Sequence, residues 1–243
     1  SEATAVLSRI LGSEDEIDAE GEATRSSSGE DKGKWSDLLK PGILVAVLAG
    51  CAIAILGQFM GVNAVLYYGP KIFSEAGFDN PMFSTVLVGL VNFATTVLAV
   101  FIIDRVGRKQ LIYWGVSGMI ICLMAIGIYF ATGGALGNGF MLAFFLAYVF
   151  CCAISISAIV FVLLSEMYPN SIRGRAMSLA GFMLWVGTYI VGQLTPVLLE
   201  WSQAGTFFIF AVMCVPYMLI MWKVIPETTG KTLEEIEEYW KKR

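Results

Sequence analysis

Histidine is absent from all 243 residues. That absence removes His-based catalytic triads and His metal ligands outright. Cysteine is scarce. Cys51, Cys122, Cys151, Cys152 and Cys214 all fall inside apolar stretches, where they read as small buried hydrophobes and not as a disulfide framework or a metal set. Charge is missing from six long stretches, roughly Gly42–Gly69, Met82–Ile103, Gln110–Thr132, Gly139–Leu164, Ala176–Leu199 and Trp201–Trp222, none of which holds Asp, Glu, Lys or Arg. These stretches therefore lack the carboxylate that often carries the proton in membrane pumps, so a proton-coupled protein built on this chain needs a titrating group from elsewhere. No nucleophile–base pair, metal set or phosphate loop is present, and an enzyme is not expected. Neither a metal, a cofactor nor a nucleic acid is expected as a partner.

What is there is apolar: 57% of the residues, with a mean hydropathy of +0.72. Soluble domains run near half. About 20 apolar residues at ~1.5 Å rise cross a hydrocarbon core of roughly 30 Å, so each charge-free stretch is long enough to span. Recurrence of such runs argues against a soluble core of buried helices, and a β-barrel would alternate apolar and polar residues over about ten positions. The reading is an all-α membrane protein with six transmembrane helices. Of 16 basic residues, starting with the N-terminus inside puts 15 on one side (Arg9, Arg25, Lys32, Lys34, Lys40, Arg105, Arg108, Lys109, Arg173, Arg175, Lys223, Lys231, Lys241, Lys242, Arg243) and only Lys71 on the other. Basic residues near span ends favour the cytoplasm. A multi-pass protein of the cell membrane, both ends cytoplasmic, is expected.

Three segments follow. Residues 1–40 form a cytoplasmic linker, with helical spacing over Ser1–Leu11, a flexible acidic stretch over Ser13–Lys34, and Trp35, Leu38 and Leu39 at headgroup level. Residues 41–225 form the six-span body, and 226–243 a cytoplasmic tail in which Thr232–Lys242 reads as a short amphipathic helix with Thr232 as N-cap and Glu235 three residues on. Pro70–Pro81, Gly133–Asn138 and the region of Glu200 are expected outside; Asp104–Lys109 and Ser165–Arg175 inside. No signal peptide is evident in the polar, acidic N-terminal stretch.

Four motifs stand out. The first span carries Gly57-Gln58-Phe59-Met60-Gly61-Val62-Asn63 and then Tyr67-Tyr68-Gly69-Pro70. Carboxamides at lipid depth are costly unless hydrogen-bonded. Gln58 and Asn63 lie about 140° apart on a straight helix. Either a break near Gly61 lets them converge on one site, as in transporters with interrupted spans, or Gly57 and Gly61 serve tight helix packing with the amides as interhelical glue. The second motif, Asp104-Arg105-Val106-Gly107-Arg108-Lys109, is either a plain positive-inside anchor or part of a gate. The third, Ser165-Glu166-Met167-Tyr168-Pro169-Asn170-Ser171-Ile172-Arg173-Gly174-Arg175, falls on the same face, so Asp104 and Glu166 are placed to pair with Arg105, Arg108 or Arg173. The fourth, Pro226-Glu227-Thr228-Thr229-Gly230-Lys231, follows the last span.

In this order and at these boundaries, the four motifs resemble the C-terminal half of the sugar porter family of the major facilitator superfamily, with particular similarity to xylose–proton symporters and facilitative glucose transporters. The resemblance covers nearly all of residues 35–243, and Ser1–Gly12 is similar to the end of the family's linker between its two halves. It implies two inverted three-helix repeats, a chain that begins within that linker, and an N-terminal six-helix half as partner, through which proton coupling would run. It also implies roles. Gln58, Asn63 and Asn92 match sugar-binding positions, Tyr67 and Tyr68 match tyrosines that close over the site, and Trp185 matches a family tryptophan. Departures are present as well. Gly57 replaces a glutamine, Ser157-Ala158-Ile159-Val160-Phe161 replaces Gly-Pro-x-x-Trp, and Leu184 replaces a polar residue, with Thr188 near another polar position. About half of the expected polar contacts are missing, which fits a smaller or less polar substrate, or one held mainly by the other half. The implied function is secondary transport of a sugar or polyol by alternating access, with Gln58, Asn63, Asn92, Tyr67, Tyr68, Phe161, Trp185 and Thr188 lining the site and Asp104, Arg105, Arg108, Glu166 and Arg173 forming an inward-side latch. A non-transporting sugar sensor, a scaffold that only pairs with a partner, and a transporter of a non-sugar solute remain alternatives.

Overall fold

The computed structural model describes residues 34–241, with backbone alone for Pro81, Asp104, Leu233, Glu234 and Lys241. The expected helix over Ser1–Leu11 and the acidic linker lie outside the described residues. Every regular element among those described is helical. A 3₁₀ turn over Trp35–Leu39 leads into α1 (Pro41–Phe59) and α2 (Val62–Glu75), which together form the first span. The second and third spans are α3 (Pro81–Val106) and α4 (Arg108–Ala131). The fourth joins α5 (Asn138–Cys152), a π-helical turn (Ala153–Ser157) and α6 (Ala158–Met167). The fifth and sixth are α7 (Arg173–Trp201) and α8 (Gln203–Lys223), and α9 (Leu233–Lys241) closes the chain. Six spans are therefore long and apolar enough to cross a bilayer, as expected.

Local chemistry sets the boundaries. Pro41 occupies the first turn of α1, where its missing N–H costs nothing. The Asn80 side chain accepts the Phe83 N–H at 3.0 Å and caps α3. Thr232 and Glu235 form the expected reciprocal capping box at the start of α9. Two expectations change. The first span continues past Pro70 to Glu75, so the connection is Ala76–Asn80 and not a loop from Pro70; proline's fixed φ suits a helix, and only one ladder bond is lost. Leu38 turns inward to 5% exposure, while Trp35 and Leu39 stay exposed, so the turn before α1 is half anchored in the bundle.

Packing obeys an internal symmetry. Exchanging span 1 with 4, 2 with 5 and 3 with 6 maps the neighbour pairs onto themselves: 1–5 onto 2–4, 1–6 onto 3–4, and 3–6 onto itself. Three is odd, so the second triplet enters from the side opposite the first, and the two repeats are inverted. Spans 3 and 6 form the internal seam. Spans 2 and 5 present large apolar side chains outward, among them Phe93, Val100, Phe101, Phe182, Tyr189 and Val197, as helices facing lipid or another bundle do.

Candidate functional site

The symmetry mates 1 and 4 both depart from regular α-helix, span 1 by a break and span 4 by a π turn within a continuous helix. The break in span 1 is Met60-Gly61. Gly61 has φ +87°, a conformation that glycine alone adopts without strain. A Cβ there would also lie 2.5 Å from the Phe210 ring of α8. The Tyr148 hydroxyl of span 4 donates to the Met60 carbonyl at 2.8 Å, satisfying an acceptor that the break releases. In span 4 the Ser155 hydroxyl bonds the Cys151 carbonyl at 2.5 Å, a local competitor for the helical ladder, within the π turn. The π turn ends at Ser157, where the resemblance places the glycine of Gly-Pro.

Where the break meets the π turn lies a cavity of about 240 Å³. Its walls come from Gln58, Val62, Asn63 and Tyr67 of span 1, Ile156, Ser157, Val160 and Phe161 of span 4, and Leu184, Trp185 and Thr188 of span 5. The Gly61 break brings the amides together, and the Asn63 Nδ2 donates to Gln58 Oε1 at 2.7 Å. The hydroxyl of Thr188 lies 3.1 Å from the same Oε1 and 3.4 Å from Asn63 Nδ2. Span 5 approaches this closely because Gly187 faces Ile55 and Gln58, where a Cβ would sit 3.1–3.2 Å from both. Both readings of the first motif are realised in part: the amides converge at a helix break, and they also bond Thr188 of the neighbouring span while Gly61 packs against Phe210.

Six residues singled out from the sequence therefore line one cavity: Gln58, Asn63, Tyr67, Phe161, Trp185 and Thr188. Two do not. Tyr68 points away, its hydroxyl donating to the Gly192 carbonyl at 2.8 Å, so it braces α2 on α7. Adjacent helical residues diverge by about 100°, so both tyrosines cannot face one space. Asn92 lines a separate small crevice with Val62, Leu66 and Tyr148, because α3 packs on another side of α2. Val62, Ile156, Ser157, Val160 and Leu184 complete the walls; Ser157, Val160 and Leu184 stand at positions where the sequence departs from the family pattern.

The second cluster lies at the end where α4 and α7 begin and α6 and α8 finish. Arg108 meets Glu166 Oε1 through Nη2 at 2.9 Å and Nε at 3.1 Å. The Thr228 hydroxyl donates to Glu166 Oε2 at 2.5 Å. Thr229 Oγ1 accepts the Arg108 backbone N–H at 3.2 Å, a first-turn donor of α4 with no helical partner. Glu227 organises this turn, its Oε1 accepting from the Thr229 hydroxyl and from the backbone N–H groups of Thr228 and Thr229. Lys109 Nζ donates to the Ile225 carbonyl at 2.8 Å. The fourth motif is thus built into the cluster, a role its position after the last span does not reveal. Arg173 is not Glu166's partner: its Nε and Nη2 both reach the Tyr168 carbonyl at 3.4 Å, where α6 has just ended. Arg105 is exposed and makes no ion pair among the described residues. The side chain of Asp104 lies outside them.

Among the described residues, no group of three or more His, Cys, Asp or Glu could hold a metal ion.

Comparison with known proteins bears on the family and the fold. The family described as "Sugar (and other) transporter" matches residues 1–240. The arabinose–proton symporter of Bacillus subtilis is 37% identical over 99% of this chain and 52% of its own length. The D-xylose–proton symporter of Escherichia coli is 38% identical over 84% of the chain and 43% of its own length. Among solved structures, the proton:xylose symporter XylE bound to 6-bromo-6-deoxy-D-glucose superposes with a TM-score of 0.83 at 33% identity, covering 98% of this chain and 51% of that one. The inward-open form of XylE from E. coli gives 0.75 at the same 33% identity, covering 98% of this chain and 50% of that one. The chain spans about half the length of the curated relatives it matches. The match over residues 1–240, with six apolar spans in two inverted repeats, places this chain in the sugar porter family of the major facilitator superfamily.

Proposed function

We propose that this chain is the C-terminal half of a secondary transporter that moves a sugar or polyol by alternating access. The carrying observation is the cavity where the break in span 1 meets the π turn of span 4, with Gln58, Asn63 and Thr188 hydrogen-bonded along one wall. Interrupted spans in corresponding positions of inverted repeats are where such transporters bind substrate. Relatives described as symporters of arabinose and xylose support the substrate class. The open side of the cavity takes the N-terminal six-helix half, and since none of the six charge-free stretches carries Asp or Glu, that half supplies any proton-titrating group.

Both ends of the chain are cytoplasmic in this reading, in the cell membrane, following the basic residues. Residues 1–40 and 226–243 flank the six-span body, 41–225. The Arg108–Glu166–Thr228 cluster is the inward-side latch, closed here and released when the cytoplasmic face opens.

The test is direct binding to this chain assembled with its N-terminal six-helix half in lipid nanodiscs. D-xylose, L-arabinose and D-glucose are titrated while tryptophan fluorescence and thermal stability are followed. A saturable response to at least one sugar, lost in Gln58→Ala, is expected. No response to any of them refutes the reading.

A further inference from the structure

Span 5 holds a proline inside its helix, Pro196 of α7. Proline has no backbone N–H, so the carbonyl four residues earlier, that of Gly192, receives no ladder bond, and the ring pushes that carbonyl away from the helix. Within a span, a group freed in this way needs a donor from a side chain or a neighbouring helix. The donor here is the Tyr68 hydroxyl of α2, at 2.8 Å. The carbonyl beside it, Val191, takes the Thr195 hydroxyl at 2.6 Å. Side chains thus serve both carbonyls in the turn before Pro196, one from α7 itself and one from span 1.

The bond from span 1 matters for α2. The break at Met60-Gly61 separates α2 from α1, so α1 alone does not set how α2 is rolled about its axis. Among the polar contacts between α2 and α7, Asn63–Thr188 is long, at 3.4 Å. Lys71–Glu200 is an exposed ion pair at 3.8 Å, of a kind that contributes little. Tyr68–Gly192 is the short one, and its loss leaves a carbonyl that its own helix cannot pair. Releasing Tyr68 therefore costs more than one exchangeable bond, because it strands an acceptor away from water. With the bond made, Tyr67, about 100° round the helix, lies on the cavity wall.

We propose that Pro196 is a positioning residue that acts across the helix interface: by withholding an N–H from Gly192 it creates the acceptor that Tyr68 fills, and so seats α2 on α7 in the roll that leaves Tyr67 on the cavity wall. Neither Pro196 nor Gly192 is itself a wall of that cavity. The seating depends on residues of this chain alone; only its effect on sugar affinity rests on the sugar-binding reading above. Pro196→Ala returns a ladder donor to Gly192, which tightens α7. The same change removes the penalty for releasing Tyr68, which loosens α2. The two helices respond in opposite directions to a substitution in one of them.

Hydrogen exchange tests this on the chain assembled with its N-terminal six-helix half in lipid nanodiscs. Tyr68→Phe should speed exchange of the α2 amides about tenfold, equivalent to about 1.4 kcal/mol. Pro196→Ala should speed it by about threefold or more while slowing exchange in α7 around position 196. Adding Tyr68→Phe to Pro196→Ala should then change α2 by less than about threefold. Pro196→Leu restores the same N–H and serves if Pro196→Ala fails to assemble. D-xylose affinity, measured by calorimetry on the same samples, should fall about fivefold in both single variants. Unchanged α2 exchange in Pro196→Ala, or an equal effect of Tyr68→Phe in the two backgrounds, overturns the inference. So does loosening of α2 and α7 together, which assigns the proline to bending alone. Opposed exchange responses with unchanged D-xylose affinity overturn the consequence for Tyr67. Opposed responses with no D-xylose binding in any sample support the seating and overturn the sugar-binding reading.

Discussion

Replacing Gly61 by alanine tests the feature on which the cavity depends. The backbone there has φ +87°, which an L-residue adopts at a cost of about 1–2 kcal/mol. The added methyl would lie 2.5 Å from Cδ2 and 2.9 Å from Cγ of Phe210. Overpacking of that kind costs about 1–3 kcal/mol. Together the two effects destabilise by about 2–5 kcal/mol, and a double-mutant cycle separates them. Phe210→Leu removes the ring that the methyl strikes and leaves the backbone strain untouched. Equilibrium unfolding of the chain in detergent micelles should then give a coupling of about 1–3 kcal/mol between the two substitutions, with about 1–2 kcal/mol of the Gly61→Ala cost persisting in the Phe210→Leu background. Sugar binding should fall in Gly61→Ala, since straightening the span swings Asn63 away from Gln58. A cost below about 0.5 kcal/mol, or a strictly additive cycle, would refute the reasoning.

Tyr148→Phe leaves the Met60 carbonyl unpaired in a buried break and should destabilise by about 1–3 kcal/mol in the same unfolding assay, with helix content unchanged. Arg108→Ala strips Glu166 of its cation; with Arg108 15% and Glu166 24% exposed, the cost should be about 2 kcal/mol, below that of a fully buried pair, seen as faster hydrogen exchange at the ends of α4 and α6. Arg173→Ala should affect that exchange less, because Arg173 bonds the Tyr168 carbonyl and not Glu166. Thr228→Val removes the hydroxyl from Glu166 Oε2 in a position 4% exposed and should loosen the segment before α9 by about 1–2 kcal/mol, read as new proteolytic sensitivity there.

The spans were legible because the bilayer imposes a simple demand, a long run without charge, and composition alone answers it. The capping box of Thr232 and Glu235 was legible for a similar reason, since its partners are three residues apart. The site was legible only in part. Gln58 and Asn63 stand out as amides in an apolar run, yet their spacing puts them on different faces until the backbone breaks. That break needs Gly61, the Phe210 ring and the Tyr148 hydroxyl together, contributed by three different spans. Tyr67 and Tyr68 are adjacent and alike in sequence, and only the packing of α2 on α7 sends one to the cavity and the other to Gly192. The π turn at Ala153–Ser157 had no sequence signal.

By itself, then, the sequence determined that this is a six-span helical membrane protein with a strongly asymmetric charge distribution, because hydrophobic length and charge position act locally along the chain. The tertiary structure alone decided which polar groups share the cavity, and that Glu166 takes Arg108 and Thr228 but not Arg173. Those pairings span from 58 to 130 residues. They depend on how inverted repeats bring spans 1, 4 and 5 together and fold the tail back onto the start of α4, which no local pattern encodes.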